Sequence, residues 1–177
     1  MDRSNLLNAL EVYGECWPEE AATVQRFSAF VEQHERCYER DCWAGHVTGS
    51  AWLVDPSGTQ VLLTHHRKLD IWVQLGGHSD GDADTRAVAQ REGEEESGLA
   101  IQLLQPEIFD IDIHAIPARK TDPEHFHFDV RYAFQAHALD YVVSAESNDL
   151  AWIPISSLGS VTEEASMLRM QRKWLNR

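Results

Sequence analysis

Two stretches near the middle of the chain, "DIDIHAI" and "HFHFDVRYAF", alternate with period two, the repeat of a strand whose two faces meet different surroundings. Ile111 and Ile113 make the apolar face of the first, and Phe126, Phe128, Val130, Tyr132 and Phe134 that of the second. The opposite faces carry Asp110, Asp112 and His114, then His125, His127, Asp129 and Arg131. Paired as a hairpin, the two strands gather histidines and carboxylates on one surface. That surface is either the wet face of an antiparallel sheet or a pocket wall contacting substrate or metal, with His125 and His127 as chief contributors. A structural zinc centre is the weaker reading, because no cysteine joins the stripe.

The rest of the pattern separates helices from strands. Leu6, Leu7, Leu10 and Tyr13, then Val24, Phe27, Val31 and His34 after Pro18, follow helical spacing and predict two amino-terminal helices. From Gly45, "HVTGSAWLVD", the turn "DPSG" and "TQVLLTHH" predict a hairpin. Further strands are expected over 71–75, where a strand breaks into a glycine loop, over 108–116 and 126–136, and near 150–153. A last helix is expected from about residue 161, with Ser160 and Glu163 as a capping box and Met167, Leu168, Gln171, Trp174 and Leu175 on one face. Hairpin connections with segregated helices point to an α+β sandwich around a mixed sheet, not a doubly wound parallel fold. The expected division is a helical extension, residues 1–40, on a domain of residues 41–177. The extension packs either on the domain or on a second subunit, so a homodimer is one arrangement the sequence allows.

"QREGEEESGLA", residues 90–100, is costly as a helix. Glu92, Glu95 and Glu96 stand at i, i+3 and i+4 on one face, where like charges cost roughly 0.2–0.5 kcal/mol per pair. They also crowd the negative end of the helix dipole. Gly93 inside the helix costs about 0.5–1 kcal/mol more relative to alanine. Asp82 or Asp84 before the helix and Gly98 after it bound the element at Thr85 to Ser97. A divalent cation taking several carboxylates at one point offsets this cost; a solvated acidic face is the bland alternative.

Gly77, Arg91, Glu92, Glu95, Glu96, Gly98 and Leu99 stand at the spacing of the Nudix box, and the chain resembles that family over residues 77–99 and more broadly over 44–158. Three positions depart from the pattern: Ala83 where the family has Glu, Gly93 for an apolar residue, and Leu75 for the Pro before the glycine pair. The resemblance implies a Nudix-like α/β/α sandwich and metal-dependent hydrolysis of the diphosphate linkage in a nucleoside diphosphate derivative, with Mg²⁺ or Mn²⁺ required. By position, Glu92, Glu95 and Glu96 would ligate metal, one of them also taking a proton from the attacking water. Arg91 would hold a glutamate in place, and the Gly76 carbonyl would complete the metal's coordination. For the substrate, the candidates are Gly77 and His78 beside the box, the basic pair Arg67 and Lys68, Arg119 between the striped strands, and His125 and His127.

Charge narrows the function classes. With 15 basic and 29 acidic residues the net charge is −14, which disfavours stable nucleic-acid or anionic-membrane binding and suits a cation. "MDRSNLLNALEV" lacks the basic and apolar segments of a signal peptide, and no apolar run approaches the ~18 residues of a membrane span, so a cytoplasmic protein is expected. Cys16, Cys37 and Cys42 form an odd count without C-x-x-C spacing and read as reduced thiols. The competing reading is a non-catalytic nucleotide-binding sensor on the same fold, suggested by Ala83 and Gly93. A diphosphate isomerase finds no Cys and His arrangement to support it.

Overall fold

The computed structural model describes residues 2–66, 71–119, 122–142 and 149–177. Helices α1, Arg3–Cys16, and α2, Ala21–Gln33, are joined by a 3-10 turn at Pro18–Glu20. Asp2 caps α1 by accepting the Asn5 N–H. Strand β1, His46–Val54, is followed by β2, Gln60–His66, β3, Ile71–Val73, and β4, Leu75–His78. Helix α3, Thr85–Ser97, comes next, then β5, Ile101–Leu103, β6, Asp110–Ile116, β7, His125–Ala136, and β8, Leu150–Pro154. A 3-10 segment, Ile155–Ser160, leads to α4, Ala165–Leu175.

The eight strands among the described residues join one mixed sheet whose central path runs β3-β2-β1-β7-β5, with β4 on β1, β6 on β7 and β8 on β2. The parallel pair β1–β7 runs in register from His46↔His127 to Val54↔Gln135, and the other pairs are antiparallel. Strand β1 is buried along its whole length, since layers cover both its faces. Its alternate residues divide accordingly. Val47, Ala51 and Leu53 enter a core shared with Leu6, Leu10, Phe27, Val31, Ala89 and Phe128, which seats α1, α2 and α3 on one face. Trp52 and Val54 enter a second core with Met167 and Met170, which seats α4 on the other. The architecture is the expected α+β sandwich.

Several local expectations are corrected. The β1–β2 hairpin pairs only next to its turn, Val54↔Val61; β2 then diverges to β8 and β3, while β7 and β4 take β1. Gly76 and Gly77 lie within β4 rather than in a loop after a strand. The striped strands do form a hairpin, with His114↔His127 and Asp112↔Asp129 opposed. Their polar face, however, is not wet: Asp110, His125, Asp129 and Arg131 are all buried. Ser160 and Glu163 form no capping box; α4 starts at Ala165, and the Thr162 hydroxyl accepts the Glu164 N–H instead. The inward face of α4 is set by Met167, Met170 and Lys173, leaving Leu175 57% exposed.

Candidate active site: the acidic helix and the polar sheet face

Helix α3 is placed by close backbone approach. A Cβ at Gly49 of β1 would fall 2.6 Å from the Thr85 carbonyl oxygen and 2.9 Å from Val88 Cγ1, so only glycine admits the helix at this distance. Gly93 meets β1 from the other side, where a Cβ would crowd Ile101 Cδ1 at 2.9 Å and Ala51 Cβ at 3.2 Å. Its cost as a helix residue is thus offset by packing. The Asp84 carboxylate accepts the N–H groups of Arg86 and Ala87, and Gly98 closes the helix in the left-handed conformation at φ 69°. Thr85 and Tyr132 share a 2.9 Å hydroxyl hydrogen bond that ties the first turn to β7.

This seating brings the box residues against β4. The Glu92 carboxylate lies over Gly77, in space that a side chain at 77 would fill. Arg91 Nη2 donates to the His78 carbonyl and to Glu92 Oε1, both at 3.3 Å, and Arg91 Nη1 stands 3.9 Å from Asp82. Glu96 is half-buried and Glu95 exposed on the same helix face. Their oxygens do not gather as tightly as metal ligands do. Among the described residues, the side chains whose ligand atoms all lie within 4.8 Å of one another are instead His46, His125 and His127. Ala83, where a further carboxylate would stand, packs on the apolar core. Arg119 is exposed, Arg67 and Lys68 lie outside the described residues, and Gly76 sits against Ser50 of β1.

The buried polar face of the sheet divides into two regions. In one, Asp129 accepts hydrogen bonds from Thr48 at 2.8 Å, Ser50 at 2.7 Å, Gln74 at 3.1 Å and Arg131 Nε at 2.7 Å. Arg131 continues to Asp110 at 3.2 Å and Asp112 at 3.4 Å, and Asp110 also receives Arg169 and Lys173 at 2.7 Å each. Burial works against the charge of Arg131, but Asp129, Asp112 and Asp110 outweigh it and hold its pKa above the ordinary arginine value.

The second region is built of imidazoles. The ring of His46 lies with centroids 4.9 Å from His125, 4.7 Å from His127 and 5.0 Å from His78, and His114 stands 5.4 Å from His127. Burial, reinforced by the neighbouring imidazoles, pushes His127 down to about 2 and His46 down to about 4, while His78 is lowered chiefly by burial. His46 and His127 are therefore neutral near pH 7. The sequence reading named His78, His125 and His127 but missed His46. The signal was present: His46, Thr48 and Ser50 are a polar stripe alternating with Val47 and Gly49, read as part of a hairpin and not sorted by face.

No family model matches the chain, and no curated protein does. Its likeness is to solved structures. A NUDIX-family hydrolase from Clostridium perfringens is similar at 24% identity, with 74% of this chain and 97% of that chain covered and a TM-score of 0.57. A C. elegans Ap4A hydrolase in binary complex aligns at 16% identity over 73% of this chain and 95% of that one, TM-score 0.53. The NUDIX domain of Shewanella oneidensis NrtR, complexed with ADP ribose, aligns at 17% over 82% and 97%, TM-score 0.53. The chain has the Nudix fold, an α+β sandwich about a mixed sheet. No helix among the described residues is long and apolar enough to cross a membrane.

Proposed function

We propose that the chain is a Nudix-type pyrophosphohydrolase that cleaves the diphosphate linkage of a nucleoside diphosphate derivative by water attack on phosphorus. The observation that carries this reading is the seating of Glu92 against Gly77 with Arg91 bonded to both Glu92 and the His78 carbonyl. Three helical carboxylates beside a glycine strand form a donor set of hard oxygens, which fits Mg²⁺ or Mn²⁺. Glu92, Glu95 and Glu96 would hold the cation, with the Gly76 carbonyl as a backbone ligand. Bound there, it supplies charge neutralisation at the phosphoryl oxygens and lowers the pKa of a water. Arg91 orients Glu92, which accepts the proton of the attacking water. Gly77 keeps the β4 backbone bare for the diphosphate, and His78 and Arg119 contact the substrate, with Arg67 and Lys68 as further cations; His125 and His127 belong with His46. The acidic chain reaches its anionic substrate through the cation, and the proposed setting is the cytoplasm.

The fold neighbours support a nucleotide-type substrate, one being an Ap4A hydrolase and another a domain complexed with ADP ribose. The second reading, a nucleotide-binding sensor, is favoured by Ala83, whose position offers no carboxylate. A panel of nucleoside diphosphate derivatives incubated with Mg²⁺ and assayed for nucleoside monophosphate separates the two. The enzyme reading expects turnover that falls at least about 100-fold in Glu96→Gln. Tight nucleotide binding with no metal-dependent turnover across the panel would establish the sensor.

A further inference from the structure

The histidine group has a chemistry of its own. Nε2 of His127 is buried without a hydrogen-bond partner, and neither ring nitrogen of His46, in a residue 2% exposed, makes a well-formed hydrogen bond, the Cys42 backbone offering only a weak one. An unmet buried polar atom costs about 1–3 kcal/mol, and native structures rarely keep several together without a ligand to meet them. The third ring is already oriented. His125 Nδ1 stands 2.8 Å from the Pro123 carbonyl oxygen, which can only accept, so Nδ1 carries the proton and a neutral ring keeps its lone pair on Nε2. A carbonyl holding the distal N–H of an imidazole is the outer-shell arrangement that fixes the tautomer of a metal-bound histidine.

Position and chemistry then select the ion. The three rings come from two adjacent parallel strands, with His46 directly opposite His127, and strands hold such geometry rigidly. Imidazole ligands without a carboxylate in the group suit a borderline-soft ion and not Mg²⁺, which prefers oxygen. At Zn–N distances of about 2.0–2.1 Å, tetrahedral ligand nitrogens stand about 3.4 Å apart. From at most 4.8 Å, closing to that spacing asks for small side-chain shifts without moving a strand.

We propose that His46, His125 and His127 form a zinc-binding site on the sheet face opposite α3, distinct from the glutamates of the box and bordered by His78. It stands independently of the hydrolase reading.

The test uses tag-free, full-length protein stripped with a chelator and titrated with Zn²⁺ against a chromophoric competitor in excess Mg²⁺. One Zn²⁺ per chain is expected, with Co²⁺ substitution giving the visible bands of a tetrahedral nitrogen site. His46→Gln and His127→Gln should each weaken zinc binding by at least about 100-fold. The combined Glu92→Gln, Glu95→Gln, Glu96→Gln variant should bind zinc as the parent does. Should a histidine variant fail to fold, imidazole nitrogen NMR of the parent decides: Zn²⁺ must shift the signals of His46, His125 and His127. Absence of zinc binding, loss of it in the glutamate variant, retention in folded histidine variants, or unshifted imidazole signals would each overturn the site.

Discussion

The polar face of the sheet holds two regions built on the same strands a few residues apart, and they differ in one respect. Around Arg131 every carboxylate is met by a cation or a hydroxyl; around His46, its own ring nitrogens and Nε2 of His127 are buried without a well-formed hydrogen bond. A buried network with its bonds made is a structural device, because removing one partner strands the others in low dielectric. A buried group with its bonds unmade is poised for something outside the chain. The comparison separates residues that hold the sheet from residues that can bind a ligand, although both sets lie on one polar stripe.

The largest effect should come from breaking the satisfied region. Arg131→Met leaves Asp129 and Asp110 without their central cation and should lower stability by about 3–5 kcal/mol, read from the urea midpoint. Next is Gly49→Ala, whose Cβ would collide with the Thr85 backbone; overpacking should cost about 1–3 kcal/mol and lower turnover as α3 shifts from β4. Acidification should act more gently. Burial raises the Asp112 pKa, but His114, Arg131 and Arg169 outweigh it, and the hydrogen bonds from Ser57, Gln60 and Thr59 do the same for Asp55 against its burial. Both carboxyls are lowered on folding, so the stability they contribute is present above the unfolded value near 4 and lost as pH falls through the folded one. The buried imidazoles of His46, His127 and His78 are also lowered on folding and act at higher pH, because the unfolded chain takes up protons near 6.5 that the folded one refuses. Urea midpoints should therefore decline from about pH 7 downward and drop further below about pH 4 as the carboxyls protonate. The smallest effect should be His46→Phe in chelator-treated protein, within about 1 kcal/mol of the parent, since an apolar ring removes unmet polar atoms. A loss comparable to that of Arg131→Met would erase the contrast.

Legibility in the sequence followed the range of the forces involved. Helix α3 was read with its observed ends, because Asp84 and Gly98 act on backbone within one turn. The faces of β6 and β7 were also legible, since alternation is local. Burial of their polar face was not, because it depends on Arg169 and Lys173 arriving from α4 and on Glu20 from the amino-terminal helices. The β1–β2 pairing failed because β4, arriving after β3, takes the edge of β1 that a hairpin would need, while β7 fills the opposite edge. Gly93 looked like a defect in a helix and is a contact with Ala51. His46 was overlooked because its partners, His125 and His127, lie on a strand made adjacent only by the parallel pairing.

The central claim is that the glutamates of α3, and not the histidines, take the hard divalent ion of a hydrolase. Titration of Mn²⁺ followed by electron paramagnetic resonance tests it most directly, comparing the parent with His46→Gln and with Glu92→Gln, Glu95→Gln, Glu96→Gln. The account predicts parent-like Mn²⁺ binding in the first variant and a loss of at least about 100-fold in the second. Undiminished Mn²⁺ affinity in the glutamate variant would contradict it.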